Sequence, residues 1–472
     1  MKYYKKILAL VFIMIICVSS LSPTFVYAVP EDNSNWPAYP EIVAEAAVLI
    51  DASTGCVIYD KNCHQKMYPA SITKILTTLL AIENGNLNDM VHYYHYDVNM
   101  ESGAAGIARK EGEEMSLRDT LYAIMLASAN ECANAAGEYV ARKSEAYANK
   151  IAELQSKSET YDESSVAISI FADIMNTRAK EFGALDTHFA NPNGLFDENH
   201  YTTPYDMAMI ARNAIKNPEF LQLEENTTYE IPATNMNAPT TISQRHRMFY
   251  KTNANYYEGV FSGKTGYTDE SGSTLVTCAQ RNGMTLISVV MKSNAENVYN
   301  DTKALLDYGF ENFHTVSLSS ISTAFHFGSS DNLDYIKGIF DTDLEKLKID
   351  NTGSIILPEN VQLSDCTSKL SFHDITDSNP NIVGKLHYYY GNMEVGNTYL
   401  LLDNSADSSV ITPLKAPKTT TSVSHKKYIT INIWIILIVI IVLTICIIIF
   451  RSKHIFKKNS RRSSYKRRRK RY

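Results

Sequence analysis

Three short groups of residues have the types and spacing to do nucleophilic chemistry on a carbonyl. The first is Ser71-Ile72-Thr73-Lys74, which follows Pro69-Ala70 where a helix is expected to begin. Residues three apart on a helix share a face, so the lysine amine reaches the serine hydroxyl. A neutral lysine can take the serine proton and turn a weak hydroxyl into a nucleophile. The helix N-terminus disfavours charge on the lysine and favours an oxyanion nearby. The spacing alone says little, because it recurs at Ser424/Lys427 and Ser463/Lys466.

The second group is Ser128-Ala129-Asn130, in the break between two helical patterns. Its serine can relay a proton, and its asparagine offers a donor and an acceptor to a peptide-like substrate. Helix capping is the plainer reading of Ser128 taken by itself. The literal Ser330-Asp331-Asn332 lies in a Gly/Ser loop beyond the third group and is read as a decoy. That third group, Lys264-Thr265-Gly266 followed by Tyr267, occurs once. Its lysine and hydroxyl suit a carboxylate, and its glycine permits close backbone approach.

These groups need a scaffold, and the surrounding pattern predicts one of mixed type. Strands are expected at Ala46–Asp51 and Val57–Tyr59, around the turn Ser53-Thr54-Gly55. Helices are expected from Pro69 to Ile82, Leu117 to Leu126, Glu131 to Arg142, Phe171 to Phe182, Pro204 to Ile215 and Val298 to Tyr308. The apolar runs Ser273–Gln280 and Met284–Met291, separated by Arg281-Asn282-Gly283, form an Asn-Gly hairpin beside the Lys264 strand. Ser144–Ser165 is polar and helix-compatible, has no clear apolar stripe and reads as an insertion. Short strands from about Thr315, among them Ser354–Leu357, Val383–Tyr390 and Thr398–Leu402, predict a small all-β domain.

The formal charge of −6 hides a sorted distribution. Residues 29–428 carry 30 basic and 51 acidic side chains, a net of −21, while residues 451–472 carry 12 Lys and Arg and no acid. An acidic body argues against nucleic acid as a partner. Residues 1–28 have a basic start, an apolar run and a small-residue exit at Val26-Tyr27-Ala28, and read as a secretory signal peptide. Residues 404–427, rich in Ser, Thr and Pro, read as a stalk. The uncharged stretch 429–450 reads as a transmembrane helix. Its basic flank, residues 451–472, belongs in the cytoplasm by the positive-inside rule, which leaves the body outside. The five external cysteines, Cys56, Cys63, Cys132, Cys278 and Cys366, form no disulfide framework; Cys56 and Cys63 either pair or, an alternative of at least equal weight, stay as buried free thiols. His92-x-x-His95 lacks a third ligand nearby, so neither a metal nor a cofactor is expected. His188 and His200 are expected to have structural hydrogen-bonding roles.

Taken in order, the three groups resemble the motifs of the active-site serine enzymes that bind penicillin. Tyr68–Lys74, Phe189-Ala190-Asn191-Pro192-Asn193-Gly194-Leu195 with His200, Asp206-Met207-Ala208, Gly263–Thr268 and Leu306–Phe310 resemble the low-molecular-mass serine-type D-alanyl-D-alanine carboxypeptidases. The resemblance implies an α/β penicillin-binding/β-lactamase-like catalytic domain over residues 38–313, an antiparallel sheet with helices. The small β-rich domain over 315–403 and a single C-terminal transmembrane helix would follow. It implies Ser71, Lys74 and Ser128 as catalytic residues, with Asn130, Lys264, Thr265, Gly266 and Tyr267 binding substrate. The substrate would be a peptidoglycan stem peptide ending in D-Ala-D-Ala, and β-lactams would acylate Ser71. The backbone N–H groups of Ser71 and Tyr267 would form the oxyanion hole. Ala129 stands where this family more usually has glycine, and the carboxylate-binding arginine is unassigned, Arg247 being one candidate. A class A-like β-lactamase and a catalytically silent wall-binding scaffold are the competing readings. No Glu-x-x-Leu-Asn element stands between the second and third groups to favour the lactamase.

Overall fold

The computed structural model describes residues 35–99, 103–320, 347–372, 379 and 381–402. The signal peptide, stalk, membrane span, basic tail and Ser330-Asp331-Asn332 expected from the sequence lie outside the described residues. Strands β1 (Ala46–Asp51) and β2 (Val57–Lys61) open the chain as a hairpin. A 3₁₀ turn over Ala70–Thr73 leads into α1 (Lys74–Asn84). The short strand β3 (Met90–His92), the one-turn helix α2 (His95–Val98) and β4 (Glu114–Ser116) form a flap. The helices α3 (Leu117–Met125), α4 (Asn130–Arg142), α5 (Glu145–Ser156), α6 (Glu163–Glu181), α7 (Pro204–Ala214) and α8 (Pro218–Gln222) follow. A small hairpin, β5 (Thr228–Ile231) and β6 (Thr240–Ser243), precedes β7 (Val260–Thr268), β8 (Gly272–Arg281) and β9 (Met284–Ser293). The last helix is α9 (Asn297–Asn312).

The main sheet is antiparallel with strand order β2-β1-β9-β8-β7, so the Lys264 strand is an edge. Side chains alternate between the faces of a strand, and the sheet uses both faces. Val48, Ile50, Val276, Ile287 and Val289 pack into a core with α1, α3, α4, α6 and α7. Ala47, Leu49, Leu275, Leu286 and Val290 pack the opposite way, with Trp36 and with Leu305 and Leu306 of α9. That double burial explains why β8 and β9 read as continuous apolar runs. The Asn-Gly turn between them has φ of 51° at Asn282 and 84° at Gly283, the left-handed pair a two-residue hairpin requires.

The remaining described residues form a second antiparallel sheet. Its strands are β10 (Phe313–Ser317), β11 (Leu347–Ile349), β12 (Ser354–Pro358), β13 (Thr367–Ser371), β14 (Ile382–Tyr390) and β15 (Met393–Leu402). They lie in the order β10-β12-β15-β14-β13, with β11 also paired to β15. Phe313, Ile355, Ile356, Leu357, Leu386 and Val395 join the Trp36 core, so the two sheets share one apolar cluster.

The structure departs from the sequence reading in two places and decides a third, the state of Cys56 and Cys63, that the sequence left open. The helix expected from Pro69 begins as the 3₁₀ turn, with φ of 52° at Ala70, and becomes α-helical only at Lys74. Ser144–Ser165 does carry an apolar stripe. Tyr147 and Leu154 are buried and Ile151 partly so, giving i, i+4, i+7 spacing on α5 behind the Ser144 cap. Cys56 and Cys63 are both free thiols and pack into opposite cores, Cys56 on the α9 side and Cys63 on the α1 side.

Candidate active site

Ser71 sits in the 3₁₀ turn, one residue after Ala70, whose positive φ is uncommon for a residue with a Cβ. That backbone is held by neighbours. The Thr73 hydroxyl donates to the Ala70 carbonyl at 2.8 Å, and the Thr274 hydroxyl of β8 donates to the Pro69 carbonyl at 2.8 Å. His200 is 2.8 Å from Thr73 Oγ1 through Nε2, while its Nδ1 accepts the Ala190 N–H at 3.0 Å. The Nδ1 acceptor fixes Nε2 as the protonated nitrogen, so His200 donates to Thr73. Burial holds its pKa down to about 3, keeping the ring neutral. The structural role expected for His200 is therefore the support of the nucleophile's turn.

Lys74 opens α1 and is fully buried. Its Nζ lies 2.8 Å from Ser71 Oγ, 2.6 Å from Asn130 Oδ1 and 2.5 Å from the Asn193 carbonyl oxygen. Burial first, then the positive charge of Lys264, pushes its pKa well below the usual lysine value; Glu131 opposes and Arg245 adds to the depression. A neutral amine has two N–H bonds and one lone pair. Asn130 Oδ1 and the Asn193 carbonyl are acceptors only, so they take both N–H groups. The lone pair is left for the Ser71 hydroxyl, which is the arrangement of a general base and its nucleophile.

Ser128 joins α3 to α4 with φ of 60°, and Asn130 is the first residue of α4. Ser128 lines the cleft with Ser71 and Thr265, without a hydrogen bond to either Ser71 or Lys264 among the described residues. On the facing wall, β7 carries Lys264, Thr265, Gly266 and Tyr267. A Cβ at Gly266 would fall 2.4 Å from Thr274 Oγ1 and 2.9 Å from the Ser71 backbone nitrogen, so only glycine lets β7 pass this close to the nucleophile. Thr265 and Tyr267 face the cleft, whose volume is about 800 Å³. Tyr267 is 64% exposed.

The geometry brings all eight sequence-predicted residues to one cleft or its wall. The model of the Peptidase S11 family, D-alanyl-D-alanine carboxypeptidase, matches residues 33–163 and 165–295. The chain belongs to this family. The match runs through the Ser144–Ser165 segment up to residue 163. The D-alanyl-D-alanine carboxypeptidase DacF of Bacillus subtilis is 31% identical over 282 residues, spanning 58% of this chain and 63% of the relative. DacC of Escherichia coli is 28% identical over 294 residues, spanning 59% and 64%. The chain thus spans just under two thirds of the length of these relatives. Penicillin-binding protein 5 of Haemophilus influenzae shares the fold, with a TM-score of 0.59 at 22% identity over 78% of this chain and 98% of that one.

Several residues of this S11 site escaped the sequence reading. Asn193 holds Lys74 through its carbonyl, and its side chain donates to Asn134 Oδ1 at 2.8 Å and accepts the Leu195 N–H at 2.7 Å. A backbone carbonyl has no residue-type signature, so Asn193 stood in the sequence only as part of the Phe189–Leu195 stretch that carries the family resemblance. Arg245 lines the cleft beside Arg247, two residues apart around the buried His246. Glu224, fully buried, accepts a hydrogen bond from the Ser262 hydroxyl at 2.5 Å. No metal-type cluster of three or more His, Cys, Asp or Glu occurs among the described residues. His92 and His95 instead face Glu114 and Glu111.

Proposed function

We propose that the protein is a D-Ala-D-Ala carboxypeptidase that removes the terminal D-alanine from peptidoglycan stem pentapeptides. The observation that carries this reading is the inventory around Lys74, where two obligate acceptors occupy both N–H groups of the neutral amine and leave its lone pair for Ser71. Ser71 Oγ attacks the carbonyl of the penultimate D-alanine while Lys74 takes its proton. The tetrahedral oxyanion is held by the backbone N–H groups of Ser71 and Tyr267, an interaction whose loss typically costs roughly 10²–10³-fold in rate. The C–N bond then breaks as the leaving amine receives a proton through the Lys74, Ser128 and Lys264 network, and D-alanine departs. Water hydrolyses the Ser71 ester and restores the enzyme.

Asn130 orients the peptide, and Lys264 with Thr265 holds the terminal carboxylate. A β-lactam presents the same carbonyl and carboxylate, and acylates Ser71. The signal peptide and the apolar stretch 429–450 followed by its basic flank support a single-pass protein of a bacterial cell membrane, with the catalytic domain outside and the tail in the cytoplasm.

The test is incubation of the full chain with a peptide ending in D-Ala-D-Ala, assaying released D-alanine, alongside labelled penicillin. Release of D-alanine and a slowly hydrolysed adduct, both abolished in Ser71→Ala, are expected. Rapid turnover of penicillin would mark a lactamase. Absence of both adduct and release would mark a scaffold.

A further inference from the structure

Lys264 is buried in the cleft wall, and among the described residues its Nζ makes one hydrogen bond, to the Thr265 carbonyl at 3.1 Å. The charges nearest to it are mostly of its own sign. Arg245 lowers its proton affinity, and the Lys264 charge in turn depresses both Lys74 and His246. A cation so placed loses its proton unless a buried negative charge compensates. Glu224 is the acid that faces it.

Glu224 follows the end of α8 and is only 2% exposed. Its carboxylate accepts from the Ser262 hydroxyl at 2.5 Å and from the Gly263 N–H at 3.2 and 3.3 Å, one distance to each oxygen. Ser262 and Lys264 are alternate residues of β7, so their side chains leave the same face of the strand. The carboxylate bonded to Ser262 therefore stands on the Lys264 side of β7. The Gln244 carboxamide and the neutral Cys278 thiol of β8 also face Glu224, and the Lys264 charge favours its ionised form.

We propose that Glu224 is a positioning residue of the reaction: it clamps β7 at Ser262–Gly263 and supplies the buried negative charge against which Lys264 keeps its ammonium in the cleft. This rests on the carboxypeptidase reading above, because the ammonium matters only if a substrate carboxylate must be held there. Burial raises Glu224 to about 7, and burial with Arg245 lowers Lys264 to about 7. Each charge favours the ionised form of the other group, Glu224 raising Lys264 and Lys264 lowering Glu224. Neutralising Glu224 removes the one influence that favours the ammonium, so the alkaline limb of activity moves to lower pH.

The test is the rate of Ser71 acylation by labelled penicillin as a function of pH, in the full chain. Glu224→Gln is expected to move the alkaline limb down by about one pH unit, so that acylation above the limb falls roughly tenfold. Glu224→Asp keeps the charge and is expected to keep the wild-type limb. Ser262→Ala removes the hydroxyl that favours the Glu224 anion and is expected to shift the limb in the same direction as Glu224→Gln. Superimposable profiles for Glu224→Gln and wild type overturn the role, as does an equal shift in Glu224→Asp, which would mark packing alone. If Glu224→Gln fails to fold, an unmoved limb in Ser262→Ala overturns it. Wild type that takes no penicillin at any pH would sink the carboxypeptidase reading itself, and this role with it.

Discussion

Gly194 closes over Ala70: a Cβ at Gly194 would lie 2.0 Å from the Ala70 carbonyl oxygen and 3.0 Å from the Ser71 nitrogen. The loop that gives Lys74 its Asn193 acceptor is therefore seated directly on the turn that presents Ser71. Gly194 has φ of 85°, so an added side chain meets both a clash and an unfavourable backbone. Gly194→Ala is expected to lower the melting temperature by several degrees and to slow acylation by about 10²-fold, the scale of a misplaced reacting group. Thermal unfolding and stopped-time penicillin labelling measure both. Unchanged acylation would show that the loop and the turn are independent.

Burial of Lys264 is set against stability. Its pKa in the fold is about 7 against 10.5 for a free lysine. As pH falls below 10.5, the unfolded chain takes up a proton that the folded chain refuses until about pH 7. The resulting cost grows through that window, is constant below it, and reaches the order of a few kcal/mol. Lys264→Met removes the cost. The variant is expected to melt a few degrees higher than wild type near neutral pH while losing most of its acylation. A melting temperature equal to or below that of wild type counts against a strained, buried Lys264.

Asp97 of α2 is pushed up to about 9, chiefly by burial and then by Glu138 of α4. Its Oδ2 accepts the Tyr94 N–H at 2.9 Å, whereas Asp97 Oδ1 and Glu138 Oε1 are both buried without a cationic or N–H partner. Arg142 binds the other Glu138 oxygen at 2.9 Å. A folded-state pKa raised above the unfolded 3.8 means that the fold binds the extra proton between those values, so stability falls as pH rises toward 9. The slope is about 1.4 kcal/mol per pH unit for one such group. Asp97→Asn is expected to flatten it, read as urea midpoints at several pH values across that window. Parallel slopes in variant and wild type would refute the raised Asp97.

Cys56, Cys63, Cys132 and Cys278 are buried thiols, and burial raises each of them, Cys56 to about 12. Thiolate is the reactive form, so these four are expected to resist iodoacetamide in the native protein. Cys366, only partly buried, is expected to be the first of the described cysteines to alkylate. Mass spectrometry of peptides from native and urea-treated protein separates the cases. Loss of the Cys56 and Cys63 peptides to a cross-link would contradict their burial in opposite cores.

The residues proposed to carry the chemistry were legible because their signals are local. Ser71 and Lys74 are set three apart by one turn, and the Asn282-Gly283 hairpin announced the sheet that carries Lys264. The main helices followed from apolar spacing, and the structure caps two of them with Ser116 and Thr203, each accepting an N–H three residues on. What stayed hidden acts across the chain. Asn193 contributes a carbonyl 119 residues from Lys74, and Glu224 reaches Ser262 across 38 residues. The positive φ at Ala70 was also illegible, since alanine is no marker of left-handed backbone. Tyr147, Ile151 and Leu154 were overlooked because three apolar positions among polar neighbours make a faint stripe.

The apolar cluster shared by the two sheets has a consequence for how the molecule comes apart. Trp36 lies 5.2 Å from Phe313 edge to face, the Glu359 N–H donates to the Asn312 carbonyl at 2.9 Å, and Leu357 packs into the same cluster as Leu49. Neither sheet can lose its fold without exposing the other's interior. Calorimetry should therefore record one cooperative transition for the catalytic and β-rich parts together, not a stepwise pair.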